Sequence, residues 1–287
     1  MKKILSIIYF LSWFCLGYCQ IQTRSTHVNP DWVKPYPPFR IVGNLYYVGT
    51  YELASYLVVT DKGSILINTG LASSASQIKD NIESLGFKFS SIKILLTNQA
   101  HYDHVGAMAE IKKATGAKMM IDEGDVASLE DGGHSDYVMN DSDSQFLPIQ
   151  VDRILHNKDT IGLGKMKIIL LHHPGHTQGS CSFLFRVDDE KKSYTILIAN
   201  LPTIIVEKPF SKVNAYPKMA DDYAYTFKAM KNLSFDIWLS PHASLFDLHK
   251  KRDPGSEYNP SVFMDRIGYD LRLKELELKY TQKLKEN

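Results

Sequence analysis

The chain has 287 residues, of which 44% are hydrophobic and 23% charged, and its formal net charge is +1. This length and apolar content suffice for one large domain, or two fused similar halves, with a substantial core. Acidic and basic residues are mixed throughout without a lysine and arginine cluster, which argues against a nucleic-acid surface and favours a small, weakly charged substrate.

The N-terminus has the pattern of a cleaved signal peptide. A basic start at residues 2–3 precedes an apolar run at 4–16, and a small-x-small pattern at residues 17–19 leads to a predicted cleavage before Gln20. The apolar run is too short to span a membrane, and no later stretch is apolar enough to do so. We therefore predict a signal peptide at 1–19 and a mature domain at 20–287, exported to the periplasm and without a membrane span.

The position of Cys19 allows a second interpretation of the N-terminus, and cleavage there determines how many cysteines the mature chain keeps. A lipoprotein signal ending at Cys19 is the alternative interpretation, and the bulky Tyr18 before it fits that pattern poorly. Cleavage after residue 19 leaves Cys181 as the one cysteine of the mature chain, so no intramolecular disulfide can form. Cys181 lies in an alternating strand pattern without a basic neighbour, which is typical of a small buried residue rather than a catalytic thiol.

The mature chain alternates short strands with helices in two similar halves. Period-two alternation marks the strands, and an apolar period near 3.6 marks the helices. In the first half we predict helices at 74–85 and 104–115 and strands at 39–42, 45–48, 55–59, 64–67, 91–97 and 118–121. In the second half we predict helices near 218–231 and within 261–285 and strands near 166–171, 180–187, 194–199 and 235–239. The pattern indicates an α/β fold of two sheets faced by helices.

Residues 123–150 are polar and contain turn-prone glycines and runs of Asp and Ser. We predict a long mobile loop system there. Long loops beside a site often shape it. His134, within this stretch, is a candidate for the neighbourhood of the pocket.

The residues Gln99-Ala100-His101-Tyr102-Asp103-His104 lie between a predicted strand and a predicted helix. In an extended loop, positions 99 and 101 point to the same side, whereas 103 and 104 turn toward a second point close by. The six residues could therefore serve two metal ions.

Two later segments carry further ligand candidates. His176 lies in a loop after the strand at 166–171, and His242 follows the strand at 235–239. Because strand ends gather at one edge of a sheet, short loops that follow them can converge on a single cleft.

Three separated segments together resemble the metallo-β-lactamase superfamily. They are Gln-x-His-x-Asp-His at 99–104, His-Pro-Gly-His-Thr-x-Gly-Ser at 173–180 and Pro-His at 241–242. Within the superfamily the chain resembles class B β-lactamases of the third subclass, and most of all the GOB-type enzymes, which have glutamine in the first ligand position. The resemblance covers nearly the whole mature chain and implies a four-layer αβ/βα sandwich.

The resemblance also implies two zinc sites. Zinc accepts imidazole nitrogen and carboxylate or amide oxygen, and catalytic sites keep a position open for water. The amide oxygen of Gln99 is a weaker donor than an imidazole, so we predict weaker zinc binding at the first site. The implied ligands are Gln99, His101 and His176 at the first site and Asp103, His104 and His242 at the second.

The implied activity is hydrolysis of the β-lactam amide of penicillins, cephalosporins and carbapenems, which gives antibiotic resistance. A zinc-bound hydroxide would attack the carbonyl, with Asp103 orienting it. Tyr216 resembles a tyrosine beside the substrate carbonyl, and Thr203 a hydroxyl that contacts the β-lactam carboxylate. A surface aromatic and a local backbone cap are the alternative interpretations of these two residues. We expect a small-molecule substrate and a monomeric protein.

Three positions depart from patterns within the superfamily. Asn68 stands where an aspartate is usual, and we predict that its carbonyl accepts a hydrogen bond from the Gln99 amide. Asn200 stands where thioester hydrolases, lactonases and RNA-processing nucleases carry a metal-bridging aspartate, and a neutral amide bridges two cations poorly. Leu201 stands beside it where other class B enzymes have a cysteine ligand.

Two alternative functions remain open. One is a lactonase of the same superfamily, and the other is a non-catalytic metal-binding protein, suggested by Gln99 and Asn68. For the remaining histidines, ordinary packing is favoured for His172 and His173, and a surface position for His27, His156 and His249.

Overall fold

The computed structural model describes residues 28–190 and 192–286 of the chain. The predicted signal peptide at 1–19 and His27 lie outside these residues. Within the described ranges, no helix is both long enough and apolar enough to cross a bilayer.

Seven strands form the first sheet, ordered as they occur along the chain. The strands are β1 (Phe39–Val42), β2 (Leu45–Tyr47), β3 (Tyr56–Thr60), β4 (Gly63–Ile67), β5 (Ile92–Leu96), β6 (Lys118–Asp122) and β7 (Arg153–Leu155). Neighbours are antiparallel from β1 to β4 and parallel from β4 to β7. The parallel half therefore brings the carboxyl ends of its strands to one edge.

Five strands form the second sheet, in the order β12, β11, β10, β9, β8. They are β8 (Thr160–Leu163), β9 (Met166–His172), β10 (Cys181–Asp188), β11 (Ser193–Ile198) and β12 (Ile237–Leu239). All neighbours are antiparallel except β11 and β12, which are parallel. The chain segments that follow β11 and β12 consequently leave the sheet at the same edge.

Apolar side chains fill the space between the two sheets. On β4, Ile65 and Ile67 face this core, whereas Leu66 belongs to a second apolar cluster on the opposite face of the sheet. This alternation is the period of two that a strand imposes on its side chains. Phe183 and Phe185 of β10 contribute to the same core from the second sheet.

The helices are α1 (Pro30–Val33), α2 (Ala75–Ser84), α3 (Tyr102–Val105), α4 (Met108–Thr115), α5 (Val126–Asp131), α6 (Met219–Lys231), α7 (Leu248–Lys251) and α8 (Arg266–Lys283). Short 3-10 turns occupy Ala72–Ser74, Phe89–Ser91, Glu123–Asp125, Phe210–Lys212, Ala243–Phe246 and Pro260–Phe263.

Helices cover the outer face of each sheet. Ile78 of α2 and Ile111 of α4 pack into the outer cluster of the first sheet. Tyr269 of α8 lies 5.4 Å from Trp238 of β12, and its hydroxyl donates to the carbonyl of Met230 in α6 (3.0 Å). The layers run helix, sheet, sheet, helix, which confirms the predicted αβ/βα sandwich.

The structure corrects the prediction for residues 104–115. Two helices, α3 and α4, replace the single predicted one. Between them, a Cβ at Gly106 would lie 2.5 Å from the Ala72 backbone nitrogen and 2.7 Å from the Leu71 carbonyl carbon. The backbone at Gly106 thus passes too close to a neighbouring segment for a larger side chain, and this contact lies where the helical path is interrupted.

The prediction of a continuous loop at 123–150 is wrong in its first part. Asp122 Oδ1 accepts a hydrogen bond from the Gly124 nitrogen (3.0 Å) and starts a turn that leads into α5. Leu129 of α5 is fully buried and holds the helix against the outer cluster. The connecting loop is therefore residues 132–152, and β7 and β8 after it are two strands that the sequence pattern did not predict.

Candidate metal centre

The predicted metal-binding residues follow strands at one edge of the sandwich. Residues 99–104 follow β5, and His101 occupies the N-cap position of α3. His176 lies in the loop between β9 and β10, and His242 comes three residues after β12. The carboxyl ends of the strands thus bring the candidates together, as the sequence predicts.

Backbone hydrogen bonds join these loops across the two sheets. The Cys181 nitrogen donates to the Asn98 carbonyl (2.9 Å), and the Ala54 nitrogen donates to the Pro241 carbonyl (2.8 Å). An isolated bridge pairs Leu53 with His242. The site is therefore held by main-chain contacts and not by side chains alone.

Asp103, His104 and His242 form a cluster whose candidate ligand atoms all lie within 4.8 Å of one another. Asp103 Oδ2 lies 3.4 Å from His104 Nε2 and 3.4 Å from His242 Nε2. The two rings meet edge to face at a centroid distance of 5.1 Å. Glu52 Oε1 lies 3.4 Å from His242 Nδ1, so this ring has a carboxylate on each side.

The cluster strongly perturbs the ionisation of its members. Burial alone would raise the pKa of Asp103, but His104 and His242 hold it well below its usual range. Burial lowers the pKa of His104 to about 3. Burial also opposes charge on His242, yet the hydrogen bonds with Asp103 and Glu52 raise its pKa to about 9. A carboxylate that stays ionised beside a neutral imidazole suits a divalent cation.

His101 and His176 form a second pair, with ring centroids 5.0 Å apart. His176 Nδ1 donates to the Thr203 carbonyl at 2.8 Å, and His101 Nε2 donates to Asp136 Oδ2 at 3.1 Å. Each ring thus uses one nitrogen in a hydrogen bond that holds its orientation, and the second nitrogen does not take part in that bond. Burial and the His101 ring lower the pKa of His176 to about 4.

Three buried ligand-type atoms have no hydrogen-bond partner among the described residues: His101 Nδ1, Asp103 Oδ1 and His104 Nε2. A buried polar atom without a partner is costly, and such atoms are normally paired. Imidazole nitrogen and carboxylate oxygen are the donors that zinc prefers. The residues present therefore fit a zinc centre.

Gln99 is buried, and Asn200 holds its side chain. Asn200 Nδ2 donates to Gln99 Oε1 at 2.9 Å and to the Asn98 carbonyl at 3.0 Å. An amide oxygen has two lone pairs, so one remains for a further partner.

Solved structures resemble this chain over nearly its whole length. The sequence profile of the metallo-β-lactamase superfamily matches residues 52–189. A class B3 di-zinc metallo-β-lactamase, LRA-12 from an Alaskan soil metagenome, is 62% identical, with a TM-score of 0.89 over 91% of this chain and 98% of its own. The chain belongs to the metallo-β-lactamase superfamily.

The predicted resemblance to the GOB-type metallo-β-lactamases is also confirmed. The metallo-β-lactamase GOB-18 from Elizabethkingia meningoseptica is 54% identical, with a TM-score of 0.91 over 92% of this chain and 97% of its own. A hydroxyacylglutathione hydrolase from Rhodospirillum rubrum is 29% identical over 103 residues. That match spans 36% of this chain and only 32% of the hydrolase.

The prediction that Asn68 accepts a hydrogen bond from the Gln99 amide is wrong. Asn68 Nδ2 donates to Asn98 Oδ1 (2.8 Å), and Asn68 Oδ1 accepts from the Asn98 nitrogen and the Thr97 hydroxyl. Asn68 adopts a left-handed backbone with φ of 59°, which asparagine tolerates better than most residues. Its amide thus braces the loop before the metal motif, and Asn200 contacts Gln99 instead.

Thr203 and Tyr216, the predicted substrate-binding residues, both lie close to the loop that carries His176. The Thr203 hydroxyl is 2.9 Å from His176 Nδ1. Tyr216 is only 3% exposed, and its hydroxyl donates to Asp222 Oδ2 at 2.8 Å. Both side chains therefore have partners within the protein.

Sequence reasoning missed Asp125, which joins two of the loops that carry candidate ligands. Its Oδ2 accepts from the Ala100 nitrogen (2.9 Å) and the Thr177 hydroxyl (2.8 Å), and its Oδ1 accepts from the Gly179 nitrogen (2.8 Å). Burial raises the pKa of Asp125 to about 6. The sequence signal was weak, because Asp125 is one of several acidic residues in a stretch predicted to be loop.

Packing was correctly predicted for His172 and His173, whose Nδ1 atoms contact Asp122 and Ser182 at 2.8 Å. His156 is exposed, as predicted, whereas His249 is half-buried and stacks on Tyr51 at 3.7 Å, so its predicted surface position is wrong. His134 is exposed and hydrogen-bonds the Asp131 carbonyl.

Cys181 is buried, and burial raises the pKa of its thiol well above the usual range.

Proposed function

We propose that the protein hydrolyses the amide bond of β-lactams, including penicillins, cephalosporins and carbapenems, and so gives antibiotic resistance. The observation that carries the proposal is a set of buried nitrogen and oxygen atoms, on His101, Asp103 and His104, that lack a hydrogen-bond partner among the residues the structure describes. They occur in a chain 62% identical to a class B3 di-zinc metallo-β-lactamase over nearly its whole length.

The proposed ligands are Gln99, His101 and His176 at the first zinc site and Asp103, His104 and His242 at the second. The 5.0 Å pairing of the His101 and His176 rings supports the first set. The second set is supported by the candidate ligand atoms of Asp103, His104 and His242, which all lie within 4.8 Å of one another. The Gln99 amide oxygen is a neutral donor and a weaker zinc ligand than an imidazole nitrogen, which supports weaker binding at the first site.

Zinc bound at these residues would supply a water of lowered pKa and polarise the substrate carbonyl. Asp103 is proposed to orient that water, since its Oδ1 is buried and has no hydrogen-bond partner within residues 28–190 and 192–286. Tyr216 is proposed to contact the substrate carbonyl, which requires its hydroxyl to leave Asp222. Thr203 is proposed to contact the β-lactam carboxylate through a hydroxyl that now lies beside His176.

The lactonase and the non-catalytic metal-binding protein are the competing functions. Asn200 disfavours the first, because its neutral amide donates to Gln99 and cannot act as a bridging carboxylate. The unpartnered atoms of the second site disfavour a decayed centre.

A substrate panel separates the three functions. Purified protein is mixed with a penicillin, a carbapenem and an acyl lactone, each with and without a chelator. We expect both β-lactams to be opened, the chelator to abolish opening, and the lactone to react slowly or not at all. Lactone opening without β-lactam opening would favour the lactonase. Zinc binding without hydrolysis of any substrate would favour the non-catalytic protein.

We also propose that residues 1–19 direct export to the periplasm and are removed before Gln20. The mature domain is then residues 20–287. We propose that it acts as a monomer on a small-molecule substrate. The mass of the mature protein recovered from the periplasm tests the cleavage. A chain that starts at Cys19 and carries acyl groups would contradict it.

A further inference from the structure

Two consecutive residues of the 132–152 loop contact the two histidines proposed for the first zinc site. Asp136 Oδ2 lies 3.1 Å from His101 Nε2, and the Tyr137 hydroxyl donates to the His176 carbonyl at 2.6 Å. The Asp136 side chain is only 5% exposed. None of the ligand motifs in the sequence includes this loop segment.

The contact with Asp136 selects one tautomer of His101. A carboxylate only accepts hydrogen bonds, so the ring nitrogen that faces it must carry the proton. With the proton on Nε2, the lone pair of a neutral ring is on Nδ1, and Nδ1 is the buried atom that has no hydrogen-bond partner in the described part of the chain. The opposite tautomer would set a lone pair against the carboxylate and remove the ligand lone pair.

The same carboxylate also holds the fold of its own loop. Asp136 Oδ1 accepts from the backbone nitrogens of Val138 (2.8 Å) and Met139 (2.7 Å). The turn before it begins at Gly132 and Gly133, with φ of 76° and 94°, values that glycine adopts without strain. One oxygen therefore stabilises the turn while the other orients His101.

We propose that Asp136 is a positioning residue for the first zinc site, which couples zinc affinity there to the conformation of the 132–152 loop. The inference rests on the proposed assignment of His101 as a zinc ligand. Coupling between two equilibria is reciprocal, so zinc at the first site stabilises the loop turn to the same extent that the turn favours zinc. Because Gln99 is proposed to be a weak ligand, zinc affinity at the first site depends more strongly on His101 and His176. The orientation of His101 by Asp136 therefore has a larger effect on that affinity.

The substitution Asp136→Asn tests the proposal while retaining one acceptor oxygen for the turn. If that oxygen stays on the backbone nitrogens, the amide nitrogen faces His101 and donates to Nε2, which forces the proton onto Nδ1. Asp141→Asn is the matched control, because Asp141 caps backbone nitrogens at Asp143 and Ser144 in the same loop and is exposed.

The first readout is zinc affinity in stripped protein, measured by competition with a chromophoric chelator. We expect Asp136→Asn to weaken zinc affinity at the first site by about 10–100-fold, which is the usual loss when the hydrogen-bond partner of a metal ligand is removed. Zinc affinity at the second site should not change. Asp141→Asn should bind like the parent. Parent affinity at both sites in Asp136→Asn would overturn the proposal.

Two further readouts separate positioning from general destabilisation. In zinc-free protein at alkaline pH, nitrogen NMR of the His101 ring should show the Nε2 proton in the parent and the Nδ1 proton in Asp136→Asn. Hydrogen exchange at 133–139 should slow when zinc is added to the parent and change less in the variant. An unchanged tautomer, or exchange that zinc does not affect in the parent, would contradict the proposal. These readouts do not depend on hydrolysis, so the proposal can hold even if no β-lactam is opened.

Discussion

Asn200 Nδ2 donates a hydrogen bond to Gln99 Oε1 at 2.9 Å, although 101 positions separate the two residues along the chain. The bond fixes which way the Gln99 amide points and occupies one of its oxygen lone pairs. The Gln99 side chain is thus buried and held in one orientation by this hydrogen bond. We expect the strength of Gln99 as a proposed zinc ligand to depend on Asn200.

Gln99→His should strengthen zinc binding at the first site. An imidazole nitrogen is a better zinc donor than an amide oxygen, and we expect a gain of at least about tenfold, or roughly 1.4 kcal/mol. Competition titration of stripped parent and variant measures it, with the affinity of the second site as the internal reference. Equal first-site affinity in the two proteins would refute the weak-ligand interpretation.

Asn200→Ala should weaken the first site in the parent but much less in the Gln99→His variant. The lost bond to the Asn98 carbonyl is common to both backgrounds, so the difference reports the contact with Gln99. We expect an interaction free energy of about 0.5–3 kcal/mol in this double-mutant cycle on zinc affinity. Strictly additive effects would mean that the hydrogen bond has no influence on the metal.

Much of this site follows from sequence order alone. Residues 99–104, His176 and His242 each follow a strand, and strand ends converge, so their proximity was predictable. The partners Asn200 and Asp136 were not, because each contact joins segments far apart in the chain without a repeating pattern. Asn68 shows the limit clearly, since its partner depends on a backbone turn with φ of 59° that no periodicity reveals.

The αβ/βα sandwich was predicted correctly, and only some of its elements were missed or misplaced. Strands such as β1 and β10 have strong apolar alternation and were placed within a residue or so. The three-residue β7 has only one buried position, so it carries too little pattern to detect. The division between α3 and α4 coincides with close approach of Gly106 to another segment, which is a tertiary effect.

Glu52→Gln should weaken zinc binding at the second site by about 10–100-fold, because the carboxylate beside His242 Nδ1 orients the ring and raises its basicity. Zinc titration measures the change. Glu123→Gln is the control, since Glu123 lies 3.2 Å from the exposed His156, which is not a proposed ligand. Loss of the same size in both variants, or in neither, would contradict a specific role for Glu52.

Asp125→Asn should change how stability depends on pH. Burial raises the pKa of Asp125 from 3.8 to about 6, so between these values the folded protein binds this proton more tightly than the unfolded chain. The contribution of Asp125 to the free energy of unfolding is therefore highest at low pH and falls as pH rises toward about 6, by roughly 3 kcal/mol.

The measurement is denaturant unfolding of zinc-free parent and Asp125→Asn from about pH 4 to pH 7. The free energy of the parent minus that of the variant should decline across this window and then level off, because asparagine does not titrate. Parallel curves would show that the Asp125 carboxyl is not perturbed, and a rising difference would show that its pKa is lowered instead.

The most direct test of zinc-dependent β-lactam hydrolysis is the rate of carbapenem ring opening by stripped protein as zinc is added back, with bound zinc measured on the same samples. We predict no opening without metal and a rate that returns with bound zinc, and no return in an Asp103→Asn variant under the same conditions. A stripped protein that still opens the ring, or a zinc-loaded parent that opens none, would contradict the account.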